Sequence, residues 1–319
     1  MKRLLLSSIV LTLIAVGLPL LMQGADKTAP QPVQTHYTAE KLDGDAKRKI
    51  TVLKGGEKVE MTVGYYITGV VAAEMPVSFE PEALKAQAVA ARTYLQRSLN
   101  NPRHDGADIC TDSDCCQAYL SKDALREKWG DKFDEYYKKI EKAVKDTDGE
   151  YLSYEGEAVL AAFHSSSAGV TENSGAVWSE LPYLVSVDTP ESSDDVPQYE
   201  SRLSLYDIDF RDTILYAKYD ADMTGEADSW ISEVKRTASG RVESMTIGGK
   251  LFTGAELRKL FSLRSTAFDI THADGKFEFT VTGYGHGVGM SQYGANVMAK
   301  SGAGYRDILA HYYPGTELQ

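Results

Sequence analysis

The chain has 319 residues, of which 43% are hydrophobic and 25% are charged, and its formal net charge at neutral pH is −12. These values are ordinary for a globular protein with room for one large or two small domains. Because 46 acidic residues outnumber 34 basic ones, the composition argues against binding of nucleic acid, or of a wall polymer, by non-specific cationic attraction.

The N-terminal segment predicts a membrane anchor or a signal peptide. Lys2 and Arg3 precede an uncharged apolar run from Leu4 to Met22, which is longer than a usual signal-peptide core and nearly long enough to span a bilayer. We interpret residues 1–25 as a retained single-pass membrane anchor with its basic end in the cytoplasm. The alternative is a cleaved signal peptide. Both interpretations place the rest of the chain outside the cytoplasm.

Residues 26–48 are polar and contain prolines, which predicts an extended stalk. The remaining chain, 49–319, mixes strand and helix patterns without a regular β-α repeat, which indicates an α+β domain. Alternating apolar and polar residues flank Gly55–Gly56, as in a β-hairpin. A short helix or buried turn then ends at Pro76, and Pro81 opens a helix that extends to about residue 100.

The later elements follow from the same local signals. Residues 123–147 are amphipathic and predict a scaffold helix, and two strands flank Glu155–Gly156. The acidic stretch TPESSDDVPQ, 189–198, predicts a flexible loop between subregions. The other predicted elements are a hairpin over 230–249, a helix after a Thr253–Glu256 capping box, a hairpin turning at Asp274–Gly275, and closing helices over 292–300 and 305–313.

A first polar cluster surrounds a lone carboxylate. Glu74 ends the apolar run VVAAEMP, and the helix that follows carries Lys85, Gln87 and Arg92. Because a buried carboxylate is unfavourable unless it is paired, one interpretation is an ion pair between Glu74 and a helix cation. The other is a functional carboxyl group.

A second cluster is AAFHSSSAG, where a predicted strand ends in His164 and the serines 165–167, with Glu172 soon after. Many hydroxyl and amide groups at short range suit carbohydrate binding. A serine nucleophile is disfavoured, because neighbours in a strand point to opposite faces and the G-x-S-x-G elbow does not occur.

A third cluster is GYGHGVGMSQYGAN, in which glycines alternate from 283 to 289. If the segment is extended, one face lacks side chains and admits a ligand or another strand, while the other presents Tyr284 and His286. The spacing does not match a dinucleotide fingerprint, and the missing H-E-x-x-H motif argues against a catalytic zinc protease or amidase.

Four motifs occur in order and at wide spacing, VVAAEMP, EALKAQAVAARTY, FHSSSAG and GHGVGMSQYGA. Together they resemble the stage II sporulation protein D family, whose domain is shared with amidase-enhancer proteins of bacterial walls. The likeness extends from about Thr51 to the C-terminus. It implies two lobes with a substrate cleft between them and Glu74 as the catalytic acid. The implied substrate contacts are Lys85, Gln87, Arg92, His164, Ser165, Ser166, Ser167, Glu172, Tyr284, His286, Gln292 and Tyr293.

The resemblance implies a lytic transglycosylase that cleaves between N-acetylmuramic acid and N-acetylglucosamine in peptidoglycan strands stripped of stem peptides, leaving 1,6-anhydro ends. No cofactor is needed for that chemistry. Family members act beside a membrane-bound amidase and a third membrane protein during forespore engulfment. The chain is therefore expected on the mother-cell membrane, facing the intermembrane space. The enhancer branch implies an alternative, a non-catalytic glycan-binding protein that stimulates an amidase.

The cysteines Cys110, Cys115 and Cys116 lie within seven positions. An odd number in an oxidising compartment suggests one disulfide and one remaining thiol. Some family members instead bind zinc here with two cysteines and two histidines. In this chain His104, Cys110 and Cys116 match, and Cys115 replaces the second histidine, so these four residues are predicted to hold a structural zinc ion. A Cys110–Cys116 disulfide is the alternative.

Overall fold

The computed structural model describes residues 44–319. The predicted anchor over 1–25 and the predicted stalk as far as residue 43 lie outside the described residues. Within the described part, no helix is long and apolar enough to cross a bilayer. Helices and strands alternate irregularly along the chain, which confirms the prediction of an α+β fold.

The larger of two hydrophobic cores draws its residues from 50–184 and 288–313, and we call this part the large lobe. Its N-terminal elements are β1 (Lys49–Lys54), β2 (Glu57–Thr62), α1 (Val63–Glu74), α2 (Pro81–Asn100), β3 (Ile109–Cys110), α3 (Lys122–Trp129), α4 (Phe133–Asp146), β4 (Leu152–Tyr154), β5 (Glu157–Ala158) and β6 (Phe163–His164).

The second core is built from residues 210–281, and we call this part the small lobe. Its elements are β7 (Glu200–Tyr206), α5 (Asp207–Ala217), β8 (Ile231–Arg236), β9 (Val242–Ile247), β10 (Lys250–Thr253), α6 (Gly254–Leu260), β11 (Phe268–Ala273) and β12 (Lys276–Thr282). The chain then returns to the large lobe with β13 (Met290–Ser291), α7 (Gln292–Lys300), α8 (Tyr305–Tyr312) and β14 (Glu317–Leu318).

The sheets are small and mostly antiparallel. In the large lobe β1 lies between β2 and β3, β4 lies between β5 and β14, and β6 pairs with β13. The β1–β3 and β6–β13 pairs are parallel. In the small lobe β9 lies between β8 and β10, and β12 lies between β11 and β7. The β6–β13 pair ties the segment that precedes the small lobe to the segment that follows it.

The small lobe shows how local pattern becomes packing. In β12 the residues Phe277, Phe279 and Val281 alternate with half-exposed polar ones and face the core. The ring of Phe210 in α5 stacks on Phe277 with 4.0 Å between centroids. The predicted capping box of Thr253 with Glu256 opens α6, and the predicted hairpin of β11 and β12 is present.

Helix α2 is the centre of the large lobe, where it contacts α1, α4, α7 and α8. Pro81 occupies its first turn, where a missing N–H leaves no bond unmade. Its buried alanines allow neighbouring helices to approach closely, and they are Ala83, Ala86, Ala88, Ala90 and Ala91.

The amphipathic stretch 123–147 is not one helix. At Gly130, which has a φ of +52°, the chain leaves α3, makes a short 3₁₀ turn and enters α4. Glycine accepts this conformation and is a poor helix former, so the break occurs there. The apolar pattern survives it because Leu125 in α3 and Ile140 in α4 are both buried in the large-lobe core.

Packing of the domain begins at Asp45, within the segment predicted as stalk. This side chain is buried, and it accepts a hydrogen bond from Arg92 Nε at 3.2 Å. The Arg92 guanidinium, in the middle of α2, also donates to the carbonyl oxygens of Val144 and Glu150 at 3.2 and 3.4 Å. Arg92 therefore fastens three segments of the chain to one another.

We predict that Arg92→Met lowers the free energy of unfolding by about 3–5 kcal/mol, because it leaves a buried carboxylate and several carbonyls without their partner. Urea unfolding followed by circular dichroism measures the loss. The control is Lys49→Met, which removes an ion pair whose side chains are 67% and 62% exposed, and which should leave the unfolding midpoint unchanged. Equal midpoints for both variants would contradict a structural role for Arg92.

Candidate functional site

Glu74 is the last residue of α1, and its carboxyl group is partly buried. The preceding Val70 and Val71 lie in the large-lobe core. Glu74 Oε1 accepts a hydrogen bond of 3.0 Å from the backbone N–H of Ala118. Burial raises the pKa of the Glu74 carboxyl, and this hydrogen bond opposes part of the rise. The site thus holds a carboxyl group that gains a proton more readily than an exposed one.

The N–H that faces this carboxyl belongs to residues 104–120, which we call the cysteine loop. The ring of Tyr119 stacks on Tyr66 of α1 with 5.7 Å between centroids. It also covers Gly69, where an added side chain would collide with it. Because the loop packs so closely on α1, Ala118 is fixed beside the end of the helix.

The cysteine loop also brings together the four predicted metal ligands. The ligand atoms of His104, Cys110, Cys115 and Cys116 all lie within 4.8 Å of one another. His104 Nε2 is 3.3 Å from the sulfur of Cys116 and 3.8 Å from that of Cys115. The two sulfurs are 4.0 Å apart, and all three cysteines are free.

The cations of α2 do not meet Glu74. Lys85 Nζ pairs with Glu82 at 2.7 Å, while Arg92 pairs with Asp45 in the interior. Within residues 44–319 Glu74 forms no ion pair. The expectation that a helix cation reaches this carboxylate is therefore wrong, because each cation has a nearer acidic partner. Lys85 as a substrate contact stays a prediction.

Two predicted substrate contacts, Gln87 and Gln292, meet inside the large lobe, where Nε2 of Gln292 donates to Oε1 of Gln87 at 3.3 Å. The next residue, Tyr293, packs edge-on against Phe79 with 4.9 Å between ring centroids. Its backbone N–H donates to the carbonyl of Ser165 at 3.0 Å. These contacts join α7 to α2 and to β6, and a role in substrate binding stays a prediction.

His164 lies in the interior at the end of β6. Its Nδ1 donates to the Val288 carbonyl at 3.2 Å, so Nε2 accepts the Ser167 hydroxyl at 2.6 Å. Burial holds the pKa of His164 well below its usual range. Ser166 and Ser167 are buried as well. These side chains connect two segments of the fold, and their role in carbohydrate binding stays a prediction.

The acidic stretch 189–198 contains a buried carboxylate that the sequence analysis missed. Glu191 is 4% exposed. One of its oxygens accepts hydrogen bonds from the Ser167 N–H at 2.8 Å and from the Ser291 hydroxyl at 2.5 Å. The expectation of a flexible loop is therefore wrong at Glu191. No local signal separates this residue from Asp194 and Asp195 in the same stretch, because its partners lie far away in the chain.

The glycine-rich segment is not an extended strand. Gly283, Gly285, Gly287 and Gly289 all have positive φ, at +74°, +120°, +85° and +72°. At Gly287 an added Cβ would lie 2.5 Å from Cζ of Arg241, so only glycine leaves space for that guanidinium. The expected bare strand face is replaced by a series of turns against which other groups pack.

Of the side chains in this segment, His286 is half-buried and Tyr284 is exposed. His286 Nδ1 accepts a hydrogen bond from the Val288 N–H at 3.1 Å, and its ring meets Trp178 edge-on with 4.9 Å between centroids. Burial, with two nearby guanidinium groups, lowers the pKa of His286 to about 4. Tyr284 is 47% exposed, and the Arg264 guanidinium covers its ring at 4.5 Å.

A cavity of about 670 Å³ is lined by residues of both lobes. Of the predicted site residues, Glu172 and His286 line this cavity, whereas Glu74 does not. Three cations that the sequence analysis did not single out also line it, and they are Arg241, Arg258 and Lys259. A volume of this size is typical of small-ligand sites. The predicted substrate cleft between lobes stays a prediction.

Comparisons with known proteins add the following findings. A family model described as stage II sporulation protein matches residues 55–154, which include Glu74 and the cysteine loop. Stage II sporulation protein D of Bacillus amyloliquefaciens is 39% identical over 259 residues, which is 79% of this chain and 73% of that protein. The protein of the same name from Bacillus subtilis (strain 168) is 38% identical over 262 residues, with the same coverage. The amidase enhancer of Bacillus subtilis is 29% identical over 302 residues, covering 79% of this chain and 40% of that protein.

The raised pKa of Glu74 leads to a prediction about stability. A folded-state pKa above the unfolded value means that ionisation opposes folding, and this penalty appears as pH rises from the ordinary range through the raised pKa. Glu74→Gln carries no such penalty. We therefore expect its gain in free energy of unfolding over the wild type to be larger at pH 7 than at about pH 4.

Thermal unfolding by calorimetry across this pH interval measures the difference. Glu57→Gln, at an exposed position of β2, is the matched control and should show no pH-dependent gain. A gain for Glu74→Gln that is constant with pH, or that falls as pH rises, would contradict the raised pKa.

Proposed function

Because this chain belongs to the stage II sporulation protein D family, we propose that it is a lytic transglycosylase of peptidoglycan. Its substrate would be glycan stripped of stem peptides, cleaved between N-acetylmuramic acid and N-acetylglucosamine. The observation that carries the proposal is the setting of Glu74, a partly buried carboxyl without an ion pair in the described residues, whose only hydrogen bond comes from Ala118.

The first half of the reaction requires an acid. A protonated Glu74 donates its proton to the glycosidic oxygen as the bond to the anomeric carbon breaks. Burial of the carboxyl supports this step, because a raised pKa increases the protonated fraction before reaction. The absence of a paired cation within residues 44–319 supports it as well, since a cation would hold the carboxyl ionised.

The second half requires a base at the same place. The Glu74 carboxylate left by the first step takes the proton of the C6 hydroxyl of the same sugar, and that oxygen attacks the anomeric carbon. A 1,6-anhydro ring closes and the carboxyl is protonated again. Hydrolysing glycosidases generally use two carboxylates, of which the second acts as a nucleophile or as the base that activates water. One carboxyl suffices here, because the attacking hydroxyl belongs to the substrate.

The Ala118 N–H supports both halves. A single donor on one oxygen fixes the orientation of the Glu74 carboxyl, and it leaves the other oxygen without a protein partner in the described structure. Hydrogen bonding to the charged form stabilises the carboxylate between the two steps. The pKa of Glu74 is thus raised by burial but moderated by the loop, which suits a group that gives and then regains a proton.

We place this activity at the mother-cell membrane during forespore engulfment, beside a membrane-bound amidase and a third membrane protein. The apolar run of residues 4–22 supports a membrane anchor. Similarity to a protein named amidase enhancer supports the link to an amidase, because an amidase that removes stem peptides would supply the stripped glycan.

That same similarity favours a second candidate function, a non-catalytic glycan-binding protein that enhances an N-acetylmuramoyl-L-alanine amidase. Such a protein needs a glycan site but no acid. The two candidates differ in one product, because only the enzyme leaves 1,6-anhydro ends.

We also propose that the cysteine loop holds a structural zinc ion. Zn–S and Zn–N bonds of about 2.3 and 2.0 Å place the ligand atoms of a tetrahedral ion roughly 3.5–3.8 Å apart. The separations around His104 and Cys116, 3.3–4.0 Å, fit that requirement. Four protein ligands leave no position for substrate, so the ion would stabilise the loop that carries Ala118.

The decisive activity test is Glu74→Gln. Glutamine retains the size of glutamate but carries no transferable proton, so glycan binding should survive. Release of anhydro-muramic products from stripped glycan should fall by about 10⁴-fold, the upper end for one acid–base group, because this group serves in both steps. Glu74→Asp, which keeps the acid but withdraws it by one carbon, should lose most of the activity.

Mass spectrometry of digested glycan, at equal concentrations of folded protein, measures the release, with Glu57→Gln as the active control. Unchanged release by Glu74→Gln would rule out Glu74 as the acid. If the wild type releases no anhydro products but still stimulates an amidase, the enhancer function is correct.

The zinc proposal predicts one metal ion per chain. Elemental analysis of the reduced wild-type protein should give one zinc, and Cys116→Ser should give much less and unfold at a lower temperature. The control is Ser113→Ala, in the same loop but outside the ligand set, which should keep both the metal and the unfolding temperature. A wild type without metal that contains a Cys110–Cys116 disulfide would support the disulfide alternative.

A further inference from the structure

Arg241, immediately before β9, is a buried cation with unused donors. The residue is 2% exposed, and its Nη2 donates to the Val170 carbonyl at 3.3 Å. Its Nε and Nη1 have no hydrogen-bond partner among the described residues. A buried N–H of a charged group without an acceptor is unfavourable, so the guanidinium is arranged for an acceptor that the protein itself does not supply.

The nearest carboxylate does not fill that role. Glu172 lies close enough to favour the charged form of Arg241. Its Oε1, however, accepts from the Asn173 N–H at 2.8 Å, and its Oε2 accepts from the hydroxyls of Thr237 and Ser239, each at 2.6 Å. Glu172 therefore contributes charge at a distance and leaves the two Arg241 donors unpaired.

These donors belong to a residue that lines the 670 Å³ cavity. Arg258 and Lys259 of α6 line it too, against the carboxylates of Glu172 and Glu243, so the wall carries an excess of positive charge. In a chain with a net charge of −12, a positively charged cavity is unusual. It would attract an anion of small-molecule size.

The edge of the cavity supplies a second kind of contact. Val177 and His286 line it, and the ring of Trp178 meets His286 edge-on and is 51% exposed. An exposed indole beside polar donors suits a sugar, which has an apolar C–H face and a polar rim.

We propose that this cavity binds the lactyl carboxylate of an N-acetylmuramic acid residue, with Arg241 as the hydrogen-bond donor and Arg258 as a supporting cation. The proposal rests on the proposed glycan substrate and names the group by which a stripped strand is selected. Removal of a stem peptide frees this carboxylate, whereas an attached peptide converts it to a neutral amide. An unpaired N–H of a guanidinium donates a charge-assisted hydrogen bond to a carboxylate oxygen.

Because Glu74 does not line the cavity, Arg241 is a specificity residue and takes no part in proton transfer. Stem peptides carry carboxylates of their own, but these lie farther from the sugar ring. Ligands that differ only at the lactyl group distinguish binding of the lactyl carboxylate from binding of a stem-peptide carboxylate.

The test measures binding to the full chain carrying Glu74→Gln, which blocks turnover. Calorimetry compares three forms of one tetrasaccharide of alternating N-acetylglucosamine and N-acetylmuramic acid. One has free lactyl carboxylates, one has their methylamides, and one carries L-alanyl-D-isoglutamine. We expect the free acid to bind about tenfold or more tightly than either of the others, as for a charge-assisted hydrogen-bonded pair.

Arg258→Gln, at a half-exposed position, should reduce this preference severalfold. Arg241→Lys should nearly abolish it, because a lysine ammonium does not place a donor where the guanidinium N–H groups lie. Arg211→Gln, which removes a surface cation of the same lobe, should leave the preference unchanged. If Arg241→Lys does not fold, Arg258→Gln decides alone.

Equal affinity for the free acid and the methylamide, or no binding of either, would overturn the proposal. Equal affinity for the peptide-bearing form would overturn the assignment to the lactyl group. The catalytic proposal fails separately: a wild type that forms no anhydro products but retains the preference loses its catalytic assignment and keeps this binding site.

Discussion

The hydrogen bond from the Ala118 N–H to Glu74 is the contact on which the organisation of the candidate site depends. It joins the end of α1 to a loop that is distant in sequence. The packing of Tyr119 over Gly69 sets the position of that loop. Without this contact Glu74 would be one more carboxylate at a helix end, where the helix dipole disfavours its charge. With it, the carboxyl has a defined orientation, and burial still raises its pKa although the hydrogen bond opposes part of the rise.

The part of the cysteine loop that precedes Ala118 is held by contacts of its histidine and cysteine residues. There the histidine and the three cysteines converge within 4.8 Å, and the hydroxyls of Tyr66 and Tyr94 bond to the carbonyls of Cys110 and Cys115. The loop has little regular secondary structure of its own, so its shape depends on these side-chain contacts. A structural ion would therefore act on Glu74 indirectly, by holding the backbone that carries Ala118.

The two lobes divide the chemistry that we propose. The large lobe supplies the proton-transfer group and most of the interior polar network, including the Glu191 carboxylate that joins Ser167 to Ser291. The small lobe supplies three cations to the cavity. The Glu74 carboxyl and the three cavity cations thus lie in different parts of the structure. The acid has no ion pair in the described residues, while the cations line the cavity.

The sequence by itself determined the elements whose causes are local. The capping box at Thr253, the helix after Pro81 and the alternation in β12 each depend on residues a few positions apart, and each is present. The four motifs were enough to identify the family. The periodicity of apolar residues did not predict the break at Gly130. Both α3 and α4 face the same core, so the pattern continues across the turn.

Only the tertiary structure decided which charges meet. Arg92 pairs with Asp45 and not with Glu74, and Glu191 lies in the interior although its neighbours in sequence suggest a solvated loop. The cavity cations carry no motif, since Arg241 and Arg258 come from separate elements that packing brings together. The physical reason is that helix caps and periodicity act over a few residues, whereas burial and pairing of a charge depend on groups that the fold brings from elsewhere in the chain.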